Sequence, residues 1–438
     1  MPRRTLQEWL DWQEGLHPRG IDLGLERVRR VFANLDLGPP PFPVITVAGT
    51  NGKGSSVALL EAVLGAAGYR VGAYTSPHLL HYNERIRVAG RCAADEAICQ
   101  AFQRIDRARG AVSLTYFEFG TLAALDMFYR GGVDVAVLEV GMGGRLDAVN
   151  ILDADVALVT AIGIDHVAWL GGDRESIGRE KAGILRPGKP AVCSDPAPPD
   201  SLVGHARALG APLYLIGRDY GCEMEAAGPL HTAWSWWHSA LRHEGLPMPA
   251  LAGAFQVRNA AGCLMALRCL APRIEVSRAA IERGLRAQRL PGRFQAVAAP
   301  VPTILDVAHN RESAAALAAN LAARPVAGRT HAVAAMLGDK DMAAVLGELA
   351  GAVDAWHLAT APVARGARAE DLARALGAAR AGAAPTLADS VEAAYEQALA
   401  QARGGDRIVV FGSFYAVSGV QKFLARGGVE FTVQSDPI

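Results

Sequence analysis

Between residues 44 and 163 the chain repeats one arrangement: a short β-branched apolar run, a glycine or polar turn, then a stretch of helical composition. The apolar runs are "VITVA" at 44–48, "YRVGAYTS" at 69–76, "VDVAVLEVG" at 133–141 and "DVALVTAIG" at 155–163. The segment "SSVALLEAVLGAAG" at 55–68 reads as a helix, with Val57, Leu60 and Leu64 on one face. Strands that are apolar at nearly every position need cover on both sides. Strand–helix–strand succession supplies it, so the pattern predicts an α/β fold with a parallel sheet between helical layers.

The chain has 438 residues, more than one hydrophobic core normally serves, so two domains are expected. A helical lead-in over 5–35 and a stiff "PPPFP" connector at 39–43 precede the first strand. Residues 212–252, with "AWSWWHSALRHEGLPMP", change character and suggest a small antiparallel addition. "AVAAPVP" at 296–302 reads as a linker, which divides the chain into domains at 1–297 and 298–438. Beyond it "TILDVAHN", "THAVAAML", "AWHLATA" and "RIVVFGS" are strands, enough for a smaller Rossmann-like α/β domain.

Lys plus Arg equals Asp plus Glu at 44 each, so no global field draws nucleic acid or an anionic membrane. The N-terminus turns polar where a signal peptide needs its apolar core, and no run of about eighteen apolar residues occurs. The six cysteines are scattered without a C-x-x-C pair, which points to reduced thiols. A cytoplasmic location is expected.

"VAGTNGKGSS" at 47–56 resembles a phosphate loop but departs from G-x-x-x-x-G-K-[ST]: Val47 stands at the first glycine position, and Gly54 separates Lys53 from Ser55. A glycine-rich turn before a helix offers backbone N–H groups and the positive end of the dipole to an anion. Gly49, Gly52 and Gly54 permit the tight path, Lys53 reaches for phosphate, and Ser55 or Ser56 can ligate Mg2+ or cap the helix. The plain alternative is a βα turn with a solvated lysine.

In doubly wound sheets ligands gather at the carboxyl ends of strands. Those ends here carry Thr75, Ser76 and His78, then Glu139, Arg145 and Asp147, then Asp165 and His166. This oxygen-rich set suits Mg2+, which keeps waters and phosphate oxygens as ligands. Singly, each has a bland reading as a turn, ion-pair or structural residue. Lys181 alone reads as a solvent-facing helical lysine, and Glu118 as a polar group in apolar surroundings. In the second half Arg293, Asp306, His309, Asn310 and Ser413 sit in turns or at strand ends, and two such domains are expected to face a ligand cleft.

In order along the chain, "IDLGLERV", "VAGTNGKGS", "TSPHLLHYNERIRV", "LTYFEFGT", "LEVGMGGRLDAVN", "IDH", "REKAGI", "LPGRF", "LDVAHN" and "GSFYAV" closely resemble bacterial dihydrofolate synthase/folylpolyglutamate synthase, of the Mur-ligase superfamily. The motifs run from about residue 21 to 420. The resemblance implies a phosphate-loop-type ATPase domain, a smaller C-terminal glutamate-ligase domain, and ATP-dependent amide formation through an acyl phosphate. It implies that Thr50, Asn51, Gly52, Lys53, Gly54, Ser55, Asn259, Arg293 and Asp306 bind ATP. Ser76, Glu139, His166 and Lys181, the last as a carbamate, correspond to Mg2+ ligands at two sites. Asp22, Thr115, Tyr116, Phe117, Glu118, Leu146, Asp147 and Ala148 fall on the pterin side, and His309 and Ser413 near the incoming glutamate. The implied partners are dihydropteroate, reduced folates, L-glutamate and ATP, with any K+ dependence left open; no coiled-coil or other assembly signal is apparent in the sequence, so a monomer is expected. A single-activity enzyme is the alternative. A muramyl-peptide ligase would need a further domain where only 43 residues precede the first strand, and a GTPase would need an Asn-Lys pair that the sequence lacks.

Overall fold

The computed structural model describes residues 4–225, 233–271, 273–382 and 384–429. The chain divides into two compact units. The first runs to Pro249 and resumes over Gln256–Gln288; the second comprises Ala250–Phe255 and the chain from Arg289 onward.

In the first unit the four expected apolar runs become β1 (Val44–Ala48), β2 (Val71–Tyr74), β5 (Val135–Glu139) and β6 (Val156–Val159), and four further short strands, not expected from the sequence, join them: β3 (Ile86–Val88), β4 (Arg91–Cys92), β7 (Ala191–Cys193) and β8 (Leu213–Leu215). They form one sheet in the order β4-β3-β2-β5-β1-β6-β7-β8. β1 is parallel to β5 on one side and β6 on the other, with Val47 opposite both Glu139 and Leu158. In this sheet only the β2–β3 and β3–β4 pairings, at one edge, are antiparallel. Because side chains alternate across a strand, Val44 and Ala48 enter one core with Leu122 and Leu125, while Ile45 and Val47 enter the other with Leu60 and Val63. Both faces are covered, as the sequence pattern requires.

The helix after β1 spans Lys53–Ala66. Its apolar stripe is wider than the expected Val57, Leu60 and Leu64 face: Ser55, Ser56, Ala58, Leu59 and Val63 are buried as well. The Arg278–Ala287 helix closes over it at Gly284, where a Cβ would stand 2.6 Å from the Val63 Cα. The lead-in is two helices, Leu6–Glu14 and Glu26–Asn34, rather than one continuous element. The antiparallel addition is β9 (Tyr220–Met224), β10 (Ala233–His238) and β11 (Leu241–Pro247), and it buries Trp234 and Trp236. It begins later than expected, because residues 213–215 belong to the parallel sheet.

The second unit holds β12 (Gln295–Val297), β13 (Thr303–Leu305), β14 (Thr330–Ala334), β15 (Ala355–Ala359), β16 (Thr386–Ala388) and β17 (Arg407–Phe411). Their order is β12-β13-β17-β14-β15-β16, parallel except for β12 against β13. Part of the expected 296–302 connector is therefore strand. Gln295–Val297 finds backbone partners along β13, which an isolated apolar tripeptide does not announce. Among the described residues no helix is long and apolar enough to cross a membrane.

Leu60 is fully buried between the sheet and its covering helices. Leu60→Ala is expected to lower the unfolding free energy of the first unit by about 2–5 kcal/mol. The shift of its urea transition measures this.

Candidate active site

The glycine loop leaves the centre of the first sheet. Gly49 has φ +150°, and a Cβ there would lie 1.8 Å from the Thr160 Oγ1, so no larger residue fits between β1 and the exit of β6. Gly52 has φ +95°, and its missing Cβ leaves room for Asn259, whose Oδ1 would stand 2.7 Å from such an atom. The Thr50 and Asn51 N–H groups both donate to the Ala161 carbonyl, at 2.8 and 3.3 Å. Those two N–H groups bind the β6 exit. What remains for an anion is the N-terminus of the Lys53–Ala66 helix together with the side chains around it.

Lys53 curls back over the loop and donates to the Gly49 and Thr50 carbonyls at 3.0 and 3.2 Å. Lys181, in the Arg174–Ala182 helix, donates to the same Gly49 carbonyl at 2.8 Å. Its side chain is 3% exposed, which overturns the reading of a solvent-facing lysine. Burial, reinforced by the Lys53 charge, drives its pKa from 10.5 down to about 7, against the pull of Asp165 and Asp147. The helix is locked to the "GMGGRLDA" turn: the Arg145 N–H donates to the Glu180 carbonyl at 2.8 Å, and the Asn150 amide donates to the Arg145 and Gly183 carbonyls at 3.0 Å each.

Asp147 lies in that turn. Its carboxylate accepts from the Met142 and Val149 N–H groups at 2.9 and 3.1 Å. Burial still outweighs those bonds and the nearby Lys53, raising its pKa from 3.8 to about 7. The buried carboxylate of Glu139, at the end of β5, accepts from the Ser76 N–H at 3.2 Å. His166 holds a left-handed conformation at φ +53°, where its N–H donates to Asp165 at 2.8 Å, and Thr50 bonds the Gly163 carbonyl at 3.0 Å. The exit of β6 is braced by Asp195, which accepts from the Ile162 N–H and from Arg174 at 2.8 and 2.9 Å.

Ser55 is buried, and its hydroxyl accepts from Gln256 at 3.3 Å, while Gln256 accepts from Asn259 at 3.0 Å. Ser56 is also buried, its hydroxyl without a hydrogen-bond partner among the described residues. Neither serine caps the helix; Gly52 occupies the cap position. Gln256 went unnoticed in the sequence. Its only signal is its place one helical turn before Asn259.

Beyond the Asp147 turn Thr115 caps the Tyr116–Arg130 helix in a reciprocal box with Glu118, at 2.8 and 3.2 Å. Glu118 is thus fully employed in apolar surroundings. It also accepts from Arg27 at 3.1 Å, and Arg27 bonds Asp22 at 2.8 Å. His17 lies 3.0 Å from Asp22 and holds its carboxyl below the usual range. Arg27, which joins the two candidate acids, was also missed, since nothing in the sequence distinguishes it from its helical neighbours Arg29 and Arg30. A cavity of about 280 Å³ adjoins, lined by Gln13, Glu14, His17, Arg19, Gly20, Thr115 and Tyr116. Phe117 packs where a Gly141 Cβ would stand (2.7 Å), which ties this helix to the turn bearing Leu146, Asp147 and Ala148.

In the second unit Asp306 follows β13, accepting from the Phe294 and Ala308 N–H groups at 2.8 Å each. Loss of water raises its pKa, while Arg293 draws it back. Arg293 lies over the Phe414 ring at 5.5 Å. The His309 ring sits 2.8 Å from the Val307 carbonyl, and Asn310 caps the Arg311–Ala322 helix. Ser413, at the end of β17, caps the Phe414–Arg426 helix and donates to the Ala335 carbonyl at 2.7 Å.

A glycine–lysine loop at the exit of a central parallel strand, with a second α/β unit following, defines the class. The Mur ligase middle domain family matches residues 47–194, and the Mur ligase, glutamate ligase domain family matches residues 292–414. The dihydrofolate synthase/folylpolyglutamate synthase of Escherichia coli K12 is 47% identical over 96% of this chain and 95% of its own. The solved structure of E. coli FolC in complex with DHPP and ADP matches with TM-score 0.91 at 44% identity, over 98% of this chain and 100% of that one. A bifunctional folylpolyglutamate synthase/dihydrofolate synthase with Mn, AMPPNP and L-glutamate bound matches with TM-score 0.88 at 44% identity, over 96% and 98%. The chain belongs to the dihydrofolate synthase/folylpolyglutamate synthase family.

Lys181 and Asp147 shape the pH dependence of the first unit in opposite ways. Between about pH 7 and 10.5 the unfolded chain binds more protons at Lys181, so stability rises with pH. Between about pH 3.8 and 7 the folded chain binds more at Asp147, so stability falls as pH rises. Lys181→Met is expected to flatten the alkaline limb and Asp147→Asn the acid limb. Urea unfolding across pH in CO2-depleted buffer reads both; limbs unchanged by either substitution contradict the assignment.

Proposed function

We propose that this chain ligates L-glutamate to dihydropteroate, giving dihydrofolate, and to reduced folates, giving folylpolyglutamates, each time at the expense of ATP. The observation that carries the reading is the loop at the centre of the sheet, where Lys53 and Lys181 meet at Gly49, in a chain alike along almost its whole length to bifunctional ligases. The ligands of the two solved relatives support the substrates: a nucleotide in both, DHPP in one and L-glutamate in the other.

The chemistry suits these groups. A carboxylate is a poor electrophile. Transfer of the terminal phosphoryl of ATP onto its oxygen makes an acyl phosphate; the glutamate amine then attacks the carbonyl carbon, and phosphate leaves with that oxygen. Thr50, Asn51, Gly52, Lys53, Gly54 and Ser55 hold the phosphates, and Lys53 offsets charge on the transferring group. Asn259, beside Gly52, acts on the nucleotide with Arg293 and Asp306. Asp22, Thr115, Tyr116, Phe117, Glu118, Leu146, Asp147 and Ala148 hold the pterin side. His309 and Ser413 serve the incoming glutamate, Ser413 from a position its cap already fixes.

The donor set fits a divalent cation held largely by phosphate oxygens and water. Among the described residues no cluster of three or more His, Cys, Asp or Glu side chains gathers to hold a metal by itself. Ser76, Glu139 and His166 would hold one Mg2+, and Lys181 as a carbamate would serve a second. Bound Mg2+ supplies positive charge to the phosphates. An ammonium at Lys181 repels a cation. With a pKa of about 7 much of that amine is neutral, and its lone pair can attack CO2 with loss of a proton. The carbamate N–H still has the Gly49 carbonyl to donate to. We place the enzyme in the cytoplasm as a monomer.

Purified protein with Mg-ATP, L-glutamate and dihydropteroate is expected to release ADP and dihydrofolate, and to extend reduced folates. Lys53→Met is expected to lower kcat by roughly 10²–10³-fold. Absence of ADP with dihydropteroate removes the first activity, and absence with reduced folates removes the second.

A further inference from the structure

Ser76 is delivered to Glu139 by a long connection between β2 and β3, anchored in the core by Tyr82, which is buried against the Phe102 and Tyr116 rings. Between Pro77 and Tyr82 the path is held by Glu84. One carboxylate oxygen accepts from the Leu80 and His81 N–H groups at 2.8 and 2.7 Å, and the other from the Leu79 N–H at 2.8 Å. Three successive backbone donors around one carboxylate fix the path of the segment directly after Ser76-Pro77-His78. At its far end the Ser76 N–H donates to Glu139.

The base of the loop is tied to the phosphate-binding element. Arg87 donates to the Glu84 carbonyl at 2.8 Å and the Thr75 hydroxyl at 3.0 Å, and it pairs with Glu61 at 2.8 Å. Glu61 lies in the Lys53–Ala66 helix, whose first turn follows the glycine loop. The Thr75 N–H closes the base on the Arg85 carbonyl at 2.9 Å. The Glu61–Arg87 pair is largely shielded, with side chains 11% and 16% exposed, so water screens it little. One chain of bonds therefore runs from the phosphate-loop helix through Arg87 and Glu84 to the Ser76 loop and Glu139.

We infer that Glu84 is a positioning residue for the metal–phosphate end of the site, setting Ser76 against Glu139 without touching substrate. This rests on the ligase reading above. Mn2+ is the probe: its affinity for the AMPPNP complex is followed by electron paramagnetic resonance, beside the affinity for metal-free AMPPNP. Glu84→Ala removes all three acceptor contacts and is expected to weaken Mn2+ binding about tenfold or more, the scale of losing a group that orients a metal ligand. Metal-free nucleotide affinity is expected to stay unchanged, because the glycine loop is held from Ala161 and Lys181. Glu84→Gln can keep the Leu80 and His81 bonds through its remaining oxygen but sets an amide N–H against the Leu79 N–H. It is expected to fall between wild type and Glu84→Ala, and it decides the matter alone if the alanine variant does not fold. Unchanged Mn2+ affinity in the folded variants, or an equal loss of metal-free nucleotide affinity, overturns the inference. Wild-type protein that forms no ADP overturns the ligase reading instead, and the Mn2+ measurements still decide the role of Glu84.

Discussion

The Gly49 carbonyl accepts from two lysines, Lys53 at 3.0 Å and Lys181 at 2.8 Å, and the arrangement around the loop follows from that shared acceptor. Two ammonium groups near one oxygen repel each other. Lys181 yields, because its burial already disfavours the charge, and its pKa falls to about 7. Lys53 stays close to the loop carbonyls at the helix N-terminus, where an arriving phosphate can draw it outward. The two cations thus divide their roles by burial: one suited to meeting phosphate, the other to giving up its charge.

The scaffold makes this convergence possible. β1 lies between β5 and β6, so its exit opens beside Glu139 on one side and the Thr160–His166 segment on the other. Bracing comes from outside the glycine loop: Asp195 on the β6 exit, Asn259 against Gly52, Gln256 on Ser55, and Asn150 beneath the Lys181 helix. Asn259 apart, these residues meet no substrate in the proposed chemistry. Their contacts hold the loop and its flanking segments in place, which is what electrostatic preorganisation requires.

The strands of the parallel sheet were legible because runs such as "VITVA" and "VDVAVLEVG" must be covered on both faces, whatever the surrounding chain does. Glycines 49 and 52 were legible as backbone necessities. Lys181 was not: in "SIGREKAGI" it sits among charged helical neighbours, and only the packing of its helix on the Arg145 turn buries it. Glu118 showed itself as out of place, but its partner Arg27 lies 91 positions away. The starts of the antiparallel addition and of the 296–302 connector were misplaced for a common reason: β8 and β12 are each three residues long and owe their conformation to neighbouring strands. Resemblance to a known family named functional positions that periodicity could not. It was silent on the residues that hold those positions in place.

The central claim is that a phosphoryl group passes to a substrate carboxylate rather than to water. Dihydropteroate labelled with oxygen-18 in its carboxylate tests it directly, by mass analysis of the inorganic phosphate released with ATP and L-glutamate. One labelled oxygen in each phosphate is the expected result, since the acyl phosphate breaks between carbon and the bridging oxygen. Unlabelled phosphate, formed at the same rate as dihydrofolate, would contradict the account.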